Sequence, residues 1–165
     1  MTYSRFEELP VWQEAIKLAE GVYDMTEGQD WRGSRSFRDQ LERAALSVSN
    51  NIAEGFERGT TNELLAFLYI ARGSAGEVRS MLCFLERRKG FAHFKSRILD
   101  LKSIAESCSR QLRAWADHLQ NSDIKGQRHL NEKTRQRYDA EKKADQFERQ
   151  LMSSLPADHP MRKSR

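Results

Sequence analysis

Arg35-Ser36-Phe37-Arg38-Asp39-Gln40-Leu41-Glu42-Arg43-Ala44-Ala45-Leu46-Ser47-Val48-Ser49-Asn50-Asn51-Ile52-Ala53-Glu54 is the stretch that decides the fold. Its apolar residues Phe37, Leu41, Ala44, Ala45, Val48 and Ile52 follow one another at offsets of 4, 3, 1, 3 and 4. That spacing draws one apolar stripe along a helix and cannot line one face of a strand, where the period is 2. Proline occurs only at 10, 156 and 160, so nothing from Val11 to Leu155 forbids a helix. Glycine does the punctuating, at Gly28 and Gly33, at Gly55 and Gly59, and at Gly90 and Gly126.

Three further segments share this period. Residues 9–27 carry Leu9, Trp12, Ala15, Ile16, Ala19, Val22 and Tyr23, with Pro10 suited to a first helical turn. The next opens at Thr60, where Thr60-Thr61-Asn62-Glu63 has the spacing of a capping box. It continues through Leu64, Phe67, Leu68, Ala71, Ala75, Val78, Leu82 and Leu85, with Gly90 as its stop. Residues 92–120 carry Phe94, Ile98, Leu101, Ile104, Ala105, Cys108, Leu112, Trp115 and Leu119. Short connections between long helices force neighbours to run up and down. The expectation is an all-α chain, an antiparallel up-and-down four-helix bundle over residues 1–120. A charged, partly helical or disordered C-terminal extension follows over residues 121–165.

Charge and apolar content divide at the same place. Residues 1–120 hold 17 Lys/Arg against 17 Asp/Glu and 52 apolar residues; residues 121–165 hold 11 against 7 and only 11 apolar residues. The whole net charge of +4 therefore lies in the extension. A basic, core-poor tail suits an anionic partner such as nucleic acid, or else only aids solubility. No apolar run reaches the ~20 residues that a membrane helix needs, and the first ten residues do not read as a secretory signal. Cys83 and Cys108 are the only cysteines, too few for a disulfide or zinc scaffold, and both read as small buried hydrophobes. A reducing cytoplasm is the expected setting.

Catalytic signatures are missing. Gly55-Phe56-Glu57-Arg58-Gly59 lacks the Lys-Ser/Thr of a phosphate loop, and none of His93, His118, His129 and His159 completes the Glu-x-x-His pair of a di-iron bundle. The expectation is no enzyme, no catalytic residue, no metal and no cofactor. What does form a pattern is polar. Arg43, Ser47, Asn51 and Glu54 make a stripe beside the apolar one, and Arg72, Gly73, Ser74, Gly76 and Glu77 recur on the following segment. This reads as a hydrogen-bonded lock between two helices, with Arg43 facing Glu77 and with Gly73 and Gly76 admitting a neighbouring backbone. The competing reading is a small-molecule or metal pocket between helices.

The run from Gln40 to Gly55, with its Ser-x-x-Asn-Ile-Ala-Glu-Gly element, resembles the signature of the four-helix bundle proteins of the 23S rRNA intervening-sequence family. Phe6-Glu7-Glu8-Leu9-Pro10-Val11-Trp12-Gln13 and Ile70-Ala71-Arg72-Gly73-Ser74-Ala75-Gly76-Glu77-Val78 are similar to that family's opening and third-helix motif. The resemblance covers residues 5–120. It implies that Arg43, Ser47, Asn51, Glu54, Gly55, Ser74 and Glu77 maintain the protomer and its assembly. The family includes the accessory variability determinant of diversity-generating retroelements, a pentameric, basic protein that binds a reverse transcriptase and nucleic acid. The resemblance thus implies a homo-oligomer, pentameric by likeness, with RNA or DNA and a reverse transcriptase as partners.

The phosphate-binding candidates are Arg72 and Arg79, seven apart on one helical face, and Arg87, Arg88 and Lys89 at that helix's end. The extension adds Lys125, Arg128, Lys133, Arg135, Arg137, Lys142, Lys143 and Arg149. Each taken singly reads as an ordinary solvated charge; the cluster is what points to phosphate. The alternative function is a protein-interaction scaffold whose tail docks through Phe147 and Leu151. An unbroken apolar run from Leu64 to Ile70 gives an independent hint of a second copy, because a monomeric bundle buries only one face of a helix.

Overall fold

Each of the four periodic segments forms a helix because its apolar stripe has somewhere to go. The computed structural model describes residues 3–121 together with 140, 143, 144, 146, 147 and 149–151. Helix α1 spans Pro10–Thr26, α2 Arg35–Glu57, α3 Thr61–Glu86 and α4 Lys95–Gln120, with short 3₁₀ turns at Phe6–Glu8 and Lys89–Phe94. Pro10 stands in the first turn of α1, where its missing N–H costs nothing. Ser34 caps α2 by accepting from the Phe37 N–H at 3.2 Å. Thr60 caps α3 by accepting from the Glu63 N–H at 3.2 Å, while the Glu63 carboxylate accepts from the Thr60 hydroxyl at 2.7 Å. The capping pair is therefore closed through the hydroxyl.

The helices pack in a ring, each against the two beside it. Partners on α3 fall in number as those on α2 rise: Gln40 meets Glu77, Ser47 meets Ser74, and Gly55 meets Leu64 and Phe67. That descending order makes the pair antiparallel. The same order joins α1 to α4, where Asp24 meets Arg97 and Gly21 meets Leu101. The four-helix reading thus holds. Among the described residues there is no strand.

The core alternates large and small side chains. Leu18, Met25, Leu41, Ile52, Leu64, Leu68, Leu82, Leu85, Ile98 and Leu112 are fully buried, interleaved with Ala15, Ala45, Ala71, Ala75 and Ala105. Burying each leucine-sized side chain contributes about 1.5–3 kcal/mol, and the alanines let helix axes approach. The α1 stripe is rotated from the sequence reading. Val11, Leu18 and Met25 are buried, whereas Trp12, Ile16 and Tyr23 lie half-buried on its flanks.

Two glycine readings need correction. Gly55 does not end α2, which runs on to Glu57; a Cβ there would stand 2.7 Å from that of Phe67, so it is a contact glycine. Gly73 and Gly76, in contrast, have no neighbouring atom within 4 Å of where a Cβ would lie. Both sit on the outward side of α3, so no helix of the bundle uses the room they leave.

The chain divides into two units, residues 1–127 and 128–165. In the second, the described residues between 140 and 151 are helical and exposed, Lys143, Phe147 and Arg149 among them. Lys125, Arg128, Lys133, Arg135, Arg137 and Lys142 lie outside the described residues.

Candidate functional site

The polar stripe of α2 becomes a seam with a fixed sense of donation. Asn51 Nδ2 donates to the Ser47 carbonyl at 2.7 Å and to Ser47 Oγ at 2.9 Å. Ser74 Oγ donates to the Ile70 carbonyl at 3.1 Å. Ser47 Oγ lies 2.9 Å from Ser74 Oγ, and since the Ser74 proton is committed to Ile70, Ser47 is the donor. The chain Asn51, Ser47, Ser74, Ile70 crosses from α2 to α3 and satisfies both half-buried hydroxyls.

Glu54 works one turn further on. Its carboxylate pairs with Arg58 at 2.5 Å, and the Arg58 guanidinium lies 5.2 Å from the Phe67 ring centroid and 3.9 Å from Glu63. Glu54 thereby ties the α2–α3 turn to α3, next to the Gly55 contact. Glu77 is not held by Arg43. It accepts from Gln40 Nε2 at 2.9 Å, because the antiparallel register sets Gln40 opposite it. Arg43 turns back to the Asp39 carbonyl at 3.2 Å. These motif residues therefore act as a lock between α2 and α3, with Arg43 outside it.

A second polar cluster joins α1 to α2. The Thr26 hydroxyl, fully buried, donates to Glu42 Oε1 at 2.5 Å, and Arg38 Nε reaches the same oxygen at 2.7 Å. Above it lies an open cleft of about 710 Å³, lined by Tyr23, Arg35, Ser36, Asp39, Glu42 and Arg43. Its cations are matched by carboxylates, so it favours neither anion nor cation. Among the described residues, no three of His, Cys, Asp and Glu gather as a metal site would need.

The cations predicted to contact phosphate fall into two groups on the body. Arg72 and Arg79 lie on the flank of α3 that also carries Glu86, whose carboxylate meets Lys102 of α4 at 2.6 Å. The hydrogen bond from Lys102 holds Glu86 below the usual carboxylate range and raises the lysine in turn. Arg87, Arg88 and Lys89 stand at the α3–α4 connection, all exposed. None of these five candidates forms an ion pair among the described residues.

Folding adds neighbours to the second group that the linear sequence separates. The α1–α2 connection reaches the same end of the bundle, where Trp31 meets Phe91 edge-on at 5.1 Å and His93 Nε2 bonds the Asp30 carbonyl at 3.2 Å. Arg32 and Arg35 thereby join Arg87, Arg88 and Lys89. Reading the two connections as one end is the signal that would have found them. Trp31 is fixed by packing alone, since its buried Nε1–H has no hydrogen-bond acceptor and Gly33 lies against the ring.

Comparison with known proteins agrees with the fold. The family model described as 23S rRNA-intervening sequence protein matches residues 7–114. No curated protein matches the chain. A solved structure, a protein with unknown function from the S23 ribosomal protein family of Bacteroides thetaiotaomicron, superposes with a TM-score of 0.57 at 16% identity. The match covers 64% of this chain and 97% of that one. At that identity the likeness speaks for the fold alone.

Proposed function

The chain belongs to the 23S rRNA-intervening sequence protein family, and from that premise we propose that it is a non-catalytic, oligomeric accessory protein that binds nucleic acid, structured RNA foremost, through phosphate contacts. The observation that carries this reading is a set of cations without an ion pair. Arg72, Arg79, Arg87, Arg88 and Lys89 form no ion pair among the described residues, so their charge remains available to phosphate. Lys143 and Arg149 of the second unit are exposed as well.

Self-association is supported by the outward side of α3. Tyr69 is 43% and Ile70 51% exposed, and Gly73 beside them leaves room that nothing fills. A solvent-facing stripe would ordinarily carry charge; this one carries an aromatic ring, an aliphatic side chain and a bare glycine, which favours a helix contact. The subunit number of five, and service to a reverse transcriptase of a diversity-generating retroelement, rest on the motif resemblance. The cytoplasmic setting rests on the cysteine usage; no helix among the described residues is long and apolar enough to cross a membrane.

Binding of the full chain to a structured RNA across a salt series tests the proposal, with sedimentation giving the subunit number. The expected result is affinity that falls steeply as salt rises, since each phosphate neutralised releases counterions. No binding at moderate salt overturns it and leaves the scaffold reading, which the exposed Phe147 favours.

A further inference from the structure

The body of the bundle is neutral in sum, yet folding separates its charges along the long axis. Residues 23–38 and 83–98 surround the end that holds the α1–α2 and α3–α4 connections, and they carry eight Lys/Arg against four Asp/Glu. Residues 3–13, 54–64 and 113–121 surround the opposite end, and they carry three against six. The basic end is more available than its count suggests. Two of its acids are occupied, Asp24 by Arg97 at 2.7 Å and Glu86 by Lys102, which lies outside this end. Arg32, Arg87, Arg88, Lys89 and Lys95 form no ion pair among the described residues.

The same end carries a run of rings that leads from the core to the surface. Phe91 is buried, Trp31 and Phe37 are half-buried, and Phe84 is 51% exposed. Successive centroids are 5.1 Å apart from Phe91 to Trp31, 6.3 Å from Trp31 to Phe37 and 5.5 Å from Phe37 to Phe84. Phe84 is thus braced from behind by Phe37, and the Arg88 guanidinium lies 5.8 Å from its centroid. A planar cation beside a supported aromatic ring, with further cations that form no ion pair at the same end of the bundle, matches the chemistry of an unpaired base with its phosphates. A duplex offers the phosphates but keeps its base faces stacked inside, so it uses the charges and not the ring.

We infer that the basic end of the bundle binds an unpaired RNA strand, one base stacking on Phe84 and Arg88 while Arg32, Arg87 and Lys89 hold the flanking phosphates. This rests on the proposed nucleic-acid function and specifies its site and its substrate. The choice of an unpaired strand over a neutral protein surface follows from the charge, since five cations without an ion pair would have to be desolvated against that surface.

The test uses the full-length chain with three labelled probes of equal length: an unpaired RNA strand, an RNA duplex and an unpaired DNA strand of the same sequence. Phe84→Ala is expected to weaken the unpaired RNA roughly tenfold and leave the duplex unchanged, and Phe84→Trp to retain binding. Arg87→Glu with Lys89→Glu is expected to weaken both RNA probes and flatten their salt dependence. If no probe binds the unaltered chain, the functional proposal itself fails and this inference with it. If the RNAs bind but Phe84→Ala changes neither, the function stands and the site is overturned. Tighter binding of the DNA strand overturns the assignment to RNA. A loss of subunits on Phe84→Ala, seen by sedimentation, assigns the ring to a contact between copies and overturns the proposal too.

Discussion

Ser47 and Ser74 share one proton in one direction: Ser47 Oγ donates to Ser74 Oγ across 2.9 Å, because Ser74 has already given its own proton to the Ile70 carbonyl. The bond is the centre of the polar seam between α2 and α3, and it explains why two small hydroxyls face each other there.

Ser47→Ala removes the donor to Ser74 and the hydroxyl that accepts from Asn51, which keeps its bond to the carbonyl of residue 47, and is expected to cost about 1–2 kcal/mol in urea unfolding. Ser74→Ala is expected to cost about 1 kcal/mol. The double variant should cost less than the two combined, since one bond is counted twice; strict additivity would show that the hydroxyls act independently.

The buried Thr26 hydroxyl gives a second, separate handle on the bundle. Glu42 accepts from both Thr26 and Arg38, and its side chain is 12% exposed. Glu42→Leu strands the half-buried Arg38 guanidinium and is expected to destabilise by about 1–3 kcal/mol. Glu42→Gln keeps the acceptor for Thr26 and should cost less. Equal losses in the two variants would mean that the charge, and not the shared oxygen, sets the stability.

The helices were legible in the sequence because each carries its own periodic stripe, and the seam because Ser47, Asn51 and Ser74 sit on motif positions. What was not legible depended on rotation and register. Arg43 and Gln40 lie on the same helix within one turn, and only the antiparallel offset of α3 decides which meets Glu77. The vacancy around Gly73 and Gly76 is likewise a property of the ring of helices. The basic end is assembled from Arg32 and Arg88, 56 positions apart. No local pattern joins them until the two connections meet at Trp31 and Phe91.

Thiol chemistry separates the two cysteines. Cys108 is buried, and that burial pushes its thiol up from 9.0 to about 12, whereas Cys83 is only partly covered. A thiol reagent at pH 8 is expected to modify Cys83 in the folded chain and both residues in denaturant. The raised value also has a consequence for stability. The unfolded state ionises first, so the contribution of Cys108 is complete below pH 9 and is lost as the pH rises toward 12. Urea midpoints across that range should fall less in Cys108→Ala than in the unaltered chain. Identical slopes would show that Cys108 ionises alike in both states.

Glycine substitutions separate the contacts made within a protomer from those made between copies. At Gly55 a methyl group meets the Phe67 Cβ at 2.7 Å and the Leu64 side chain at 3.2 Å, both on α3. Gly55→Ala must push α3 away and is expected to destabilise by about 1–3 kcal/mol. At Gly73 the space is open and the site is mid-helix, so Gly73→Ala alone should stabilise the protomer by about 0.5–1 kcal/mol through helix propensity. In an assembly that packs another copy against Tyr69 and Ile70, the same methyl group intrudes into the contact. Sedimentation of Gly73→Ala then reports fewer subunits while its protomer unfolds at higher urea. A gain in stability with no change in subunit number would place the contact between copies on another face.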